Sequence, residues 1–176
     1  VVLFASDHGE MLGAHRLSKK GVFAYDEILR VPLVVDVPDH DGPRDRIPDL
    51  VSNAAIPGTL LDAAGLSHEE FEGGSLLPAM NRSVPPEDDR VFFEHKYAYW
   101  GEHPYRGVRT QDWKYVEYLT DDADELYHVA DDPDEMHNLA GQAAYSEEEA
   151  RHRRLVREWW DRTGGDEAAW VRPVGE

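Results

Sequence analysis

The sequence predicts an α/β fold that passes into a small antiparallel sheet and closes with a carboxy-terminal helix, on three observations. The first is Val1-Val-Leu-Phe-Ala, an apolar run that stops at Ser6 and is followed at once by Asp7-His8-Gly9, as a buried strand ends at a site. The second is a change of texture at Val91, beyond which short aromatic and β-branched runs alternate with turn residues. The third is Ser146 to about Arg162, with acids in the first turn and arginines later, as a helix dipole prefers.

In chain order, Gly13 to Lys20 reads as an irregular loop over the first strand's end, and Val22 to Leu29 as a short helix. Pro32 forbids continuation of that helix, and Leu33-Val34-Val35 forms the next strand. A strand entering an α/β sheet is expected to have parallel neighbours. Asp39 to Pro48 is an exposed connection. Ser52 to Ala64 is a helix capped by Ser52 or Asn53, with Leu60-Leu61 inward and Gly65 as its stop. Gly74-Ser75-Leu76-Leu77 anchors an otherwise polar linker, and a boundary near Pro85-Pro86 divides the chain into residues 1–86 and 87–176.

In the second part, strands are expected at Val91–His95, Tyr105–Thr110, Trp113–Leu119 and Glu125–Val129. Asp132-Pro133-Asp134-Glu135 predicts a helix start, with Asp132 as cap and Glu135 completing a capping box. Ser146-x-x-Glu149 repeats the pattern. Leu155, Trp159 and Trp160 form the inward stripe of the final helix.

Asp7 and His8 are candidates for chemistry, weighed against an Asp7 that only caps the following turn and a His8 that is a satisfied polar residue. A carboxylate oxygen and a neutral imidazole nitrogen are both metal donors, and Gly9 gives the backbone freedom to turn both toward one ion. Arg16, Lys19 and Lys20 group beside His15 on the following loop, where they can meet an anion. His95, Tyr97, Trp100 and His103, in a stretch of rings interleaved with Lys and Glu, are candidates for a polar-substrate pocket, weighed against simple packing of the small sheet.

Ser6-Asp7-His8-Gly9-Glu10-Met11-Leu12-Gly13-x-His15, Lys20-Gly21, Tyr25-Asp26-Glu27 and Arg30-Val31-Pro32-Leu33 together resemble the sulfatase family of the alkaline-phosphatase superfamily. Arg109-Thr110, Trp113-Lys114-Tyr115, Glu125-Leu126-Tyr127 and Asp132-Pro133-x-Glu135-x-x-Asn138-Leu139-Ala140 resemble its carboxy-terminal signature. The resemblance implies the end of an alkaline-phosphatase-like mixed sheet with flanking helices, in the later part of a sulfatase-like catalytic domain. It implies hydrolysis of a sulfate ester by a formylglycine nucleophile, with a divalent metal, calcium first and manganese or magnesium as alternatives.

In that reading Asp7 and His8 match a pair of metal ligands, Lys20 the lysine that touches the sulfate, and His15 joins Lys20 as catalytic. The substrate class is a sulfate-ester small molecule or glycan. Phosphonate and phosphate esters are cleaved by relatives of the same fold with the same groups, and a non-catalytic relative is a further alternative. The nucleophile motif does not occur here, so the chain is expected to be the carboxy-terminal piece of a longer enzyme and inactive alone.

Composition narrows the partners. The 176 residues hold 36 acidic against 18 basic side chains, a net charge of −18, which argues against nucleic acid and suggests adaptation to salt. No cysteine occurs, which removes disulfides and thiolate chemistry from this segment. No apolar run approaches the roughly 18 to 20 residues that span a bilayer. Both the cytoplasm and the cell exterior stay open as compartments.

Overall fold

The computed structural model describes residues 1–38, 42, 46–81, 89–98, 101–120 and 122–165. The expected boundary near Pro85-Pro86 and most of the Asp39–Pro48 connection lie outside them. The chain forms two compact units, Val1–Lys20 with Glu27–Val91, and Gly21–Asp26 with Phe92–Glu176. A six-residue strap near the start thus belongs with the carboxy-terminal half.

In the first unit, β1 (Val2–Ala5) pairs with β2 (Leu33–Asp36). The pairing is antiparallel, with Phe4 opposite Val34, which corrects the expectation of parallel neighbours. The period-two side-chain alternation puts Leu3, Ala5, Leu33 and Val35 on the half-buried face and leaves Val2, Phe4 and Val34 exposed. Between the strands α1 covers only Asp26–Leu29, its first residue belonging to the second unit. The longer helix expected from Val22 does not form. Gly21 stands at φ +60, and Ala24 is buried in the strap instead.

A 3-10 turn at Asn53–Ala55 leads into α2 (Ile56–Ala63). Ser52 Oγ accepts from Ala54 N at 3.2 Å, the expected cap, and Gly65 ends the element at φ +70. Leu60 is exposed, contrary to expectation. The inward side is Ala55, Gly58 and Thr59, because the helix backs onto the Gly74 backbone: a Cβ on Gly58 would lie 2.0 Å from the Gly74 carbonyl oxygen. Thr59 Oγ1 donates to Ala55 O at 2.6 Å and accepts from Leu76 N at 2.9 Å, fastening the linker ahead of α3 (Leu77–Met80).

The second unit is a sheet of β3 (Arg90–Ala98), β4 (Gly101–Thr110), β5 (Trp113–Tyr118) and β6 (Glu125–His128) in sequential order, all but the first two residues of β3 lying in it. β4–β5 and β5–β6 pair antiparallel. Val108, Tyr115 and Leu126 stand side by side in register and, with Val156 of α4 (Ser146–Arg162), make a fully buried core. Burying side chains of this kind stabilises by about 1.5–3 kcal/mol each. The buried stripe of α4 is His152, Val156 and Trp160, while Trp159 stacks on Phe92 at 5.0 Å. The helix starts where Ser146 predicted, but Ser146 donates to Ala143 O, and Glu149 accepts from Gly141 N rather than closing a capping box.

The alternate face of the same strands carries Arg109, Lys114 and Tyr127, also in register. It is closed by the strap, with Tyr25 against Tyr127 at 6.4 Å and Asp26 at Lys114. β5 is therefore buried on both faces, which explains why a strand with Lys and Glu in it has no exposed side.

Candidate functional site

The chain leaves β1 at Ser6, whose hydroxyl donates to His8 O at 2.8 Å, while Asn53 Nδ2 donates to Ser6 O at 2.9 Å. Gly9 N donates to Ile28 O, also at 2.8 Å. Only glycine permits that approach, since a Cβ there would meet Glu27 O at 1.9 Å. The turn that presents Asp7 and His8 is thus held on both sides by backbone contacts.

His8 Nδ1 lies 2.7 Å from the Gly9 carbonyl oxygen, which can only accept, so Nδ1 is the donor, and in the neutral tautomer the lone pair is on Nε2. Nε2 lies 3.7 Å from Asp7 Oδ2, and Asp7 Oδ1 accepts from the His8 amide at 3.0 Å. A carboxylate oxygen and an imidazole nitrogen are set side by side, with Asp7 open to solvent. Both are donor types that a divalent cation accepts, and the Gly9 carbonyl fixes the ring's orientation. Among the described residues no group of three or more such side chains gathers.

His15 follows on a 3-10 turn at Ala14–Arg16, in left-handed backbone at φ 50, with Nε2 3.9 Å from Glu27 Oε2. Lys19 and Lys20 are both exposed, and Lys19 is itself left-handed at φ 68. Of the pocket candidates, His95 stacks on Tyr105 at 5.4 Å and packs the sheet, whereas Tyr97 and His103 are exposed. Trp100 lies outside the described residues. A cleft of about 370 Å³ in the second unit is lined by Trp113, His128, Asp131, Asp132, His137 and Tyr145 among others, none of them a residue predicted for the site.

Sequence reasoning missed a buried ion cage in the second unit. Lys114 Nζ contacts Glu135 Oε1 and lies 2.9 Å from Asp26 Oδ1, Arg109 Nε is 3.8 Å from Asp26 Oδ2, and Asp26 N donates to Glu135 Oε2 at 2.7 Å. The Lys114 and Glu135 side chains are both 0 % exposed. Burial pushes the Glu135 carboxyl up to about 7, against the pull of Lys114 and the Asp26 amide.

The helix expected at Asp132–Glu135 does not form. Asp132 does cap: burial raises its carboxyl, but the amides of Met136 and His137 that it accepts from, with the His137 ring, together outweigh burial and hold it below the usual range. Glu135 turns inward at φ +51 instead of reaching back to Asp132. The available signal was Lys114 between two aromatic residues in a buried strand, since a charge there needs a partner.

A strand ending at Asp7-His8, then a small antiparallel sheet and a helix, matches the carboxy-terminal portion of sulfatases of the alkaline-phosphatase superfamily. The family described as N-sulphoglucosamine sulphohydrolase, C-terminal, matches residues 13–159, and the chain belongs to this sulfatase family. It is 34% identical over 163 residues to the uncharacterized sulfatase YidJ of Escherichia coli K12, covering 92% of this chain and 32% of that protein. A solved 2-O GAG sulfatase superposes with TM-score 0.85 at 29% identity, over 99% of this chain and 39% of that one. The phosphonate monoester hydrolase of Agrobacterium radiobacter superposes with TM-score 0.80 at 29% identity, over 91% and 34%. The chain spans about a third of the length of the curated relatives it matches.

Proposed function

We propose that this chain is the carboxy-terminal portion of a metal-dependent sulfuric ester hydrolase, whose substrate is a sulfate ester carried by a small molecule or a glycan. The observation that carries the reading is the Asp7–His8 pair, with the His8 tautomer set by Gly9 O so that Nε2 is available beside Asp7 Oδ2. Asp7 and His8 would hold a divalent cation, which when bound supplies positive charge toward the ester's non-bridging oxygens. The carboxylate suits calcium, with manganese and magnesium as alternatives.

Lys20 adds an ammonium toward the same developing charge, where a fixed donor contributes most. The His15–Glu27 pair would hold a proton for the departing alcohol, a role that their 3.9 Å separation supports. The nucleophile, a formylglycine in this reading, belongs to sequence outside these 176 residues. The similarity to a 2-O GAG sulfatase supports a sugar sulfate, and that to a phosphonate monoester hydrolase favours phosphonate esters as the second reading.

The test is turnover of 4-nitrophenyl sulfate and of a phenylphosphonate monoester by the intact enzyme, before and after chelation and with calcium or manganese restored. Sulfate turnover that falls on chelation and in Asp7→Ala is expected. Turnover indifferent to chelation and to Asp7→Ala would overturn the metal assignment, and phosphonate hydrolysis without sulfate hydrolysis would select the second reading. The 176-residue chain alone should turn over neither ester.

A further inference from the structure

Resting on the reading of Asp7 and His8 as metal ligands, we infer that Asn53 is a positioning residue for the pair, a side chain from 47 positions away that grips the peptide leading into Asp7 and so fixes where both ligands point. Every residue of the arrangement lies in the first unit. The turn needs a donor from outside because the strand ladder stops short of it. β1 and β2 pair from Val2–Asp36 to Ala5–Leu33, and one step further the register sets Ser6 opposite Pro32. Proline has no N–H, so β2 offers the Ser6 carbonyl nothing there. Asn53 Nδ2 takes that place, donating to Ser6 O at 2.9 Å.

Each peptide group around the pair is held. A peptide group is planar, so gripping one of its atoms orients the whole link between two residues. The link from Ser6 to Asp7 is held at its oxygen by Asn53, and the link from Asp7 to His8 at its N–H by Asp7 Oδ1, at 3.0 Å. The link from His8 to Gly9 is held at both ends, its oxygen by Ser6 Oγ and its N–H by Ile28 O. Among these, Asn53 is the side chain that comes from outside the turn. A carbonyl oxygen only accepts, so the Asn53 amide must face it through nitrogen, which neither an ionised aspartate nor a leucine could do.

Asn53 stands on a fixed base. Its 3-10 turn is capped by Ser52 Oγ, and Gly73 backs onto it so closely that a Cβ would lie 2.2 Å from the Ala54 carbonyl. Thr59 Oγ1 then ties Ala55 O to the Leu76 amide, so the turn is fastened to the helix after it and to the linker. The backbone on either side of the Asn53 amide is thus held in place, and the amide passes that placement to the peptide before Asp7.

Metal binding by the intact enzyme tests this. Calorimetric titration of the metal-free enzyme with calcium, and with manganese, should show an affinity about 10- to 100-fold weaker in Asn53→Leu, the scale of losing a partner that orients a metal ligand. Asn53→Gln, which keeps the amide donor on a longer stem, should recover part of the loss. Turnover of 4-nitrophenyl sulfate by Asn53→Leu should climb back toward that of the unsubstituted enzyme as metal is added, because the ligands are misplaced and not removed. Unchanged affinity in Asn53→Leu where Asp7→Ala loses it would overturn the proposal, and so would turnover lost at every metal concentration. Should Asn53→Leu not fold, Asn53→Ala, which only removes the amide, decides by the same titration.

If Asp7→Ala itself leaves metal affinity unchanged, the assignment of the ligands fails and not the positioning of the turn. Amide exchange in the metal-free enzyme then decides the latter. Faster exchange at the amides of Asp7, His8 and Gly9 in Asn53→Leu supports it, and unchanged exchange overturns it.

Discussion

Single side chains are where the chemistry is decided, and Lys19 and Lys20 pose the narrowest choice because both are exposed and adjacent. Lys20 directly precedes Gly21, whereas Lys19 sits one residue further back in left-handed backbone. Lys20→Ala in the intact enzyme should lower kcat by about 10² to 10³, the cost of one oxyanion donor, and Lys19→Ala should change it little. Parallel measurement of kcat and kcat/KM for both variants checks this, and a larger loss at Lys19 would reverse the assignment.

His152 offers a second prediction, about stability. Its ring is fully buried, with Nδ1 donating to Glu148 O at 2.9 Å, and burial holds its pKa below the ordinary value. A histidine kept neutral by folding binds its proton in the unfolded chain first, so stability is lost as pH falls below about 6.5. His152→Phe should flatten the fall in Tm between pH 7.5 and 5.5. Glu135, whose raised pKa acts in the opposite direction, is present in both proteins and cancels from the comparison.

Between elements, α4 is tied to the sheet by ions as well as by apolar contact. Arg106 Nε donates to Glu117 Oε2 at 2.7 Å within β4–β5, and Arg157 of α4 reaches Glu117 Oε1 at 2.8 Å. Arg106 also lies 4.9 Å over the Trp160 ring. One carboxylate therefore couples two strands and the helix. Glu117→Gln would leave the buried Arg106 guanidinium facing an amide, and the expected loss is about 3–5 kcal/mol, the scale of breaking a buried pair. Arg157→Gln, at the exposed end of the same network, should cost under about 1 kcal/mol. Denaturant unfolding of both variants measures the contrast, and equal effects would show that Glu117 is not the hub.

For the molecule as a whole, the net charge of −18 dominates. If self-repulsion limits its stability, Tm of the intact enzyme should rise with potassium chloride up to molar concentration, where the Debye length is about 3 Å. A neutral sugar at matched osmolality should not substitute, and a flat or falling Tm would remove the support for salt adaptation. No described helix is long and apolar enough to cross a membrane.

Local pattern was enough for the elements that local energetics control. The run ending at Asp7-His8-Gly9, the strands of the small sheet and the dipole-matched α4 all lie where alternation, turn residues and charge order put them. Because Asp7 and His8 are two adjacent residues at a strand end, they too could be singled out as candidates before any coordinates. The antiparallel partner of β1, the inward face of α2 and the role of Glu135 were not. Asp26 meets Lys114 across 88 positions and Glu135 across 109. No periodicity in a window of a dozen residues encodes such a meeting. At Asp132-Pro133-Asp134-Glu135 the local signal for a capping box lost to a buried lysine's need for a counter-charge, which exists only once the strap and the sheet have closed around it.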